Sequence, residues 1–194
     1  MDESCYGLIV EGSYDGSVFP EFVRKIVSAE LRVIVRLCGG VSKLMSRLPG
    51  YLKELEHAWY GKPVIKAIVI RDWQHRDLTK AEQEMAQRVR GRSFAFAHGV
   101  QFCPVRQEME TWLLADEGAI NAVAVSRAGR QVSQVQGELE EIADAKSRLV
   151  TLLSEARLPY DATVCAEIAQ HVNLERLRYR CPSFRLFETK VLDC

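Results

Sequence analysis

Leu8-Ile9-Val10-Glu11-Gly12 is an apolar run that ends in a carboxylate and a glycine, and Ile70-Arg71-Asp72-Trp73-Gln74-His75-Arg76-Asp77 closes a second apolar run in the same way. Each reads as a β-strand with an acid at its tip. In an open α/β sheet ligands gather beyond the carboxyl ends of the strands. Acids from separate strands can converge there on one hard cation, which prefers oxygen ligands.

Outward from these two stretches, the first half of the chain alternates short β-rich runs with helical patterns, as successive βα units of a parallel sheet do. The strands are expected at residues 6–10, 32–37, 64–70 and 94–102. Between them Phe19, Phe22, Val23, Ile26 and Val27 recur at helical spacing. Leu44, Leu48, Leu52 and Leu55 do so too, with an interruption expected at Pro49-Gly50. A polar third helix is expected at 78–89. From Glu108 onward only helical patterns follow, at 109–114, 144–156, 162–172 and 184–192. Residues 126–137, with Gly129, Gly137 and several Gln and Ser, read as a mobile connection.

The expectation is therefore an α/β, Rossmann-like fold: a central, mainly parallel four-stranded sheet flanked by helices, with a helical C-terminal extension. Residues 1–118 form the α/β domain and 119–194 the extension packed on it, or the two make one compact domain. A chain of 194 residues suffices for one substantial core.

Composition is that of an ordinary globular protein, 47% hydrophobic and 27% charged. Lys plus Arg equals Asp plus Glu at 26 each, so net charge neither points to nor excludes a nucleic-acid partner. Cys5, Cys38, Cys103, Cys165, Cys181 and Cys194 show no C-x-x-C spacing and read as reduced, mostly buried thiols. No basic-apolar leader opens the chain and no stretch approaches the ~20 apolar residues of a membrane span. A cytoplasmic protein with no membrane partner is expected. His57, His75, His98 and His171 form no zinc spacing, and no Ser-His-Asp arrangement is recognisable.

Several acids are candidates. Side chains alternate along a strand, so Asp72 and Gln74 point the same way if the strand runs on, with Asp77 able to swing in from the loop. Read alone, Asp72 and Asp77 serve equally well as turn or helix-capping residues, and Glu11 as a solvated residue before a turn. Glu108 and Glu110 are not on one helical face, so at most one of them is expected at the site. An acidic first helical turn also has a plain reading in the helix dipole. Cys38-Gly39-Gly40-Val41-Ser42-Lys43 joins the second strand to the second helix. Backbone N–H groups of Gly39 and Gly40, with Lys43, suit a phosphate as well as a plain tight turn, and the Walker spacing is absent. Arg88, Arg90 and Arg92 read as a solvated helix end.

Taken in order, Val10-Glu11-Gly12 with Asp15, Ile70-Arg71-Asp72, the run Glu108-Met109-Glu110-Thr111-Trp112-Leu113-Leu114-Ala115-Asp116, Asp144-Ala145-Lys146 and Cys181-Pro182-Ser183-Phe184-Arg185-Leu186-Phe187 resemble the Toprim superfamily. The likeness is to Toprim-related, OLD- or topoisomerase-primase-type bacterial proteins encoded near ATPases or in mobile defence loci, and it covers most of the chain. It implies a Toprim-like fold with magnesium or manganese (Mg²⁺ or Mn²⁺) held by a Glu at the first strand and an Asp-x-Asp at the third. Glu11 and Asp72 match these positions; Gln74 replaces the second Asp, with Asp77 as a compensating ligand. Glu110 matches the family's glutamate before the Trp-Leu-Leu-Ala-Asp run, so Glu11, Asp72 and Glu110 are the catalytic candidates. The implied activity is metal-dependent cleavage of DNA or RNA, as an effector in antiphage defence beside a partner ATPase, with a homo-oligomer left open. The alternative is a catalytically silent Toprim-fold binding or regulatory subunit of an ATPase-containing complex. Tyr14 lies near Glu11, yet the nucleophilic tyrosine of topoisomerases belongs to another domain. An aspartyl-phosphate role for Asp72 lacks a partner motif.

Overall fold

A computed structural model describes residues 5–58 and 61–193. The elements run β1 (Cys5–Val10), α1 (Ser13–Ile26), β2 (Arg32–Leu37), α2 (Val41–Glu56), β3 (Val64–Trp73), α3 (Leu78–Arg88), β4 (Val100–Arg106), α4 (Glu110–Leu113), α5 (Glu117–Ser126), α6 (Ala145–Glu155), α7 (Ala162–His171), α8 (Leu174–Arg180) and α9 (Pro182–Leu192). A 3₁₀ turn at Leu139–Glu141 precedes α6. All four strands are parallel, in the order β2-β1-β3-β4. The fold is α/β, with helices on both faces and a helical C-terminal part.

Alternation along the strands sorts two cores. Tyr6, Leu8 and Val10 of β1, with Ile68 and Ile70 of β3, face α1 and the C-terminal helices, around Phe19, Phe22, Trp112, Phe184 and Phe187. Cys5 and Ile9, with Ala67 and Val69, face α2, whose Leu44, Leu48, Leu52 and Leu55 are fully buried. At Gly7 a Cβ would stand 2.7 Å from Leu55 Cδ1, so β1 needs glycine there for α2 to lie this close. The first core joins strands β1, β3 and β4 to α5–α9 without a break.

The structure departs from expectation in four places. Helix α2 continues through Pro49-Gly50, because its leucine stripe is anchored along its whole length while proline removes one hydrogen bond. Strand β4 is Val100–Arg106 rather than 94–102. Phe94 and Phe96 stack on each other and Phe96 packs into the α2 core, and the chain turns at Gly99 (φ 70°) before pairing begins. Pro104 is tolerated because β4 is an edge strand. Helices α5 and α8 had no expected counterpart. Finally, the 126–137 connection is irregular but anchored: Asn121 exchanges two hydrogen bonds with Val132, Arg180 donates to the Val135 carbonyl, and Val135 is buried.

Cys5, Cys38, Cys103, Cys165 and Cys181 are free and buried; Cys194 and residues 1–4 lie outside the described residues. Among the described residues no helix is long and apolar enough to cross a membrane.

Candidate metal centre

From β1 the chain crosses to β2 on one side and then returns to β3 on the other, so the strand order reverses between β1 and β3. That reversal opens a crevice at the carboxyl ends of the strands, the usual ligand position in such sheets. Glu11 is the first residue beyond β1, and Asp72 lies within the last turn of pleat of β3.

Glu11 is held by backbone. Its Oε1 accepts the Asp72 N–H at 3.2 Å, tying the two strand tips together. Its carbonyl accepts the N–H groups of both Gly39 (2.8 Å) and Gly40 (3.1 Å). The glycines reach this geometry at φ 74° and 109°, a region that favours glycine. Burial pushes the Glu11 carboxyl above its ordinary pKa, opposed by the Asp72 N–H, the Arg71 charge and the Val41 N–H at the start of α2.

Asp15 sits one turn further on, where its Oδ2 accepts the Gly12 N–H at 2.9 Å. Burial raises its carboxyl to about 6 despite that bond, and the charges of Glu110 and Glu11 add to the rise while Lys146 opposes it. Asp72 is raised well above the carboxylate range, first by burial and then by Asp15, Glu11, Glu110 and Glu108 in turn. Its own surroundings thus supply four further carboxylates, from the ends of β1 and β4.

Beyond β4, Gln107 adopts φ 61° with its N–H bonded to the Trp73 carbonyl, and this turn swings Glu108 and Glu110 toward the crevice. The charges of both add to the rise of Asp72, whereas the expectation was that at most one of the two would face the site. Glu108 precedes α4, so the helical-face argument does not govern it. Glu108 accepts the Lys146 N–H at the start of α6. Burial raises its carboxyl, with that bond working against the rise. Glu110 is 6% exposed and accepts the Tyr160 hydroxyl on Oε1. Tyr160 stacks on Tyr14, with centroids 4.8 Å apart and planes at 12°. The Lys146 ammonium lies over both rings, 5.7 Å from Tyr14 and 5.5 Å from Tyr160.

Two candidates stand apart from this group. Asp77 is exposed and caps α3, its Oδ1 accepting the Lys80 N–H at 3.2 Å; it is not among the charges weighing most on Asp72, Asp15 or Glu11. Gln74 follows the end of β3, is exposed, and gives its carbonyl to Arg106. On the other side, Lys43 brings its ammonium over Gly39, 3.6 Å from where a Cβ would stand. A cleft of about 340 Å³ beside the end of β4 is lined by Arg76, Arg106, Glu140, Glu141 and Ser183, and Glu141 pairs with both arginines.

Five acids opposed by Lys146 and Arg71 make an oxygen-only, net negative donor set, which in chemistry fits Mg²⁺ or Mn²⁺. Among the described residues no three acid, histidine or cysteine side chains stand together closely enough to hold a metal ion. Sequence reasoning underweighted Asp15 and Glu108 and missed Tyr160 outright. A single tyrosine in a loop before α7 carries no motif, and only the packing of α7 against α1 brings it here.

A family model described as Domain of unknown function (DUF4276) matches residues 10–192. No curated protein matches the sequence. Among solved structures, the C-terminal region of the Burkholderia pseudomallei OLD protein is similar, with 15% identity, 97% of this chain and 100% of that chain covered, and a TM-score of 0.44. So distant a likeness carries no chemistry across.

Proposed function

This chain belongs to the DUF4276 family, and from the carboxylates at its strand tips we propose a metal-dependent nuclease of Toprim type that cleaves phosphodiester bonds in DNA or RNA. The observation that carries this reading is Asp72. A half-buried carboxyl raised by burial and by four other carboxylates is costly to ionise, and a divalent cation is the natural way to relieve that repulsion.

Glu11 and Asp72 are the first ligands, already joined by the bond from the Asp72 N–H to the Glu11 carboxylate. Asp15, Glu108 and Glu110 complete the donor set from the flanking turns. Mg²⁺ or Mn²⁺ held by these carboxylates would supply Lewis acidity toward a phosphodiester oxygen and toward the attacking water. Lys43 stands on the neighbouring rim, where its ammonium would meet a backbone phosphate; the N–H groups of Gly39 and Gly40, expected from the sequence to hold one, are instead given to the Glu11 carbonyl. Asp77 keeps to capping α3, since its carboxylate is committed to that helix start.

The test is cleavage of varied DNA and RNA by the purified protein in Mg²⁺ or Mn²⁺, against Glu11→Gln and Asp72→Asn. Cation-dependent cleavage lost in both variants supports the reading; cleavage unchanged in both sinks it.

One observation favours a second reading, a silent Toprim-fold regulatory subunit working with a partner ATPase. Gln74 puts a neutral, exposed amide where the resemblance implies a second aspartate. That reading predicts no cation binding above background.

A further inference from the structure

Glu110 is buried, is among the groups that raise Asp72 and Asp15, and accepts a hydrogen bond on Oε1 from a single side chain among the described residues, Tyr160. Tyr160 is itself held from three directions. Its ring stacks on Tyr14 of α1, its carbonyl accepts the Tyr14 hydroxyl at 3.4 Å, and the Lys146 ammonium covers both rings. One glutamate oxygen, Oε1, is thereby fixed by a phenol that cannot readily turn away.

We propose that Tyr160 is a positioning residue that sets Glu110 for divalent-cation binding, with the Tyr14 ring and Lys146 fixing Tyr160 in turn. This inference rests on the proposed cation site and adds a residue to it from a distant part of the chain. A partner that orients a metal ligand from behind typically changes metal affinity by roughly 10- to 100-fold when removed. Phenylalanine at 160 retains the stack and removes only the hydroxyl, which separates orientation from packing.

The experiment is Mn²⁺ titration by calorimetry of the full chain, using wild type, Tyr160→Phe, Glu110→Gln and the double variant, with thermal unfolding of each without metal. The inference expects wild type to bind, Tyr160→Phe to bind about tenfold or more weakly, and the hydroxyl to have no further effect once Glu110 is glutamine. Equal affinity in wild type and Tyr160→Phe overturns it while leaving the cation site standing. So does an equal loss from Tyr160→Phe in the Glu110→Gln background, since that assigns the hydroxyl a purely structural part. Absence of Mn²⁺ binding in wild type overturns the proposed function itself, and this inference with it.

Discussion

Lys66 and Asp72 stand on the same strand, both drawn from water, and their surroundings differ completely. Lys66 is fully buried, yet its ammonium donates to the carbonyls of Val191 (2.8 Å) and Asp193 at the end of α9 and lies 5.5 Å from the Tyr6 ring centroid. A cation at a helix carboxyl end is matched to the dipole and to the last free carbonyls. Asp72 meets the reverse: its neighbours are carboxylates, and their charges add to the cost of burial. The lysine ties α9 to the sheet, whereas the aspartate creates a charge problem that the chain leaves open. Repulsion concentrated at the switch point is what the proposed cation would relieve there.

The strongest way to break the contrast is at the acids. Asp72→Asn or Glu11→Gln is expected to lower cation-dependent cleavage by at least about 100-fold, measured as initial rate on a labelled strand, while the fold persists by circular dichroism. Lys66→Met tests the other half. It strands two carbonyls and is expected to cost on the order of 2–4 kcal/mol in urea unfolding, with cleavage per folded molecule unchanged.

The acids also impose a pH dependence of definite sign. A carboxyl with folded pKa raised from 3.8 to about 6, as for Asp15, binds its proton more tightly when folded. Its contribution to stability is therefore present below the unfolded pKa and is lost as pH rises through about 6. Surface carboxyls such as Glu56, Glu141 and Asp144 are shifted downward and act the other way. The quantity to read is thus the difference between wild type and Asp15→Asn. Without metal the variant is expected to gain relative to wild type, by on the order of 1–3 kcal/mol, as pH rises from about 4 to about 7. A flat difference would remove Asp15 from the repulsive group. The smallest effect belongs to Asp77→Ala, which forfeits a helix cap worth about 1 kcal/mol and leaves Mn²⁺ affinity where it was. A fall in affinity would return Asp77 to the ligand set.

Much of this was legible in the chain because strand tips are local. Glu11 and Asp72 each follow an apolar run, and period-two burial and βα alternation placed both at one sheet edge. The positions that escaped depend on contacts far apart in sequence. Tyr160 comes beside Glu110 only through the docking of α7 on α1, and Glu108, already a candidate in the sequence, is placed by the positive-φ turn at Gln107 that no local pattern announces. Lys66 looks like a surface lysine until α9 closes over it. The Pro49 and β4 differences have a related cause: a buried leucine stripe outweighed a local helix breaker, and packing of Phe96 took residues out of a strand-like run.

The central claim, that the carboxylates at the ends of β1, β3 and β4 form a cation site, is tested most directly by Mn²⁺ calorimetry near neutral pH in two buffers of different ionisation enthalpy. Because the acids hold protons more tightly than free carboxyls, binding is predicted to release protons, so the observed heat should depend on the buffer, and Asp72→Asn should abolish the signal. No heat above background in wild type, or the same affinity in Asp72→Asn, would contradict the account.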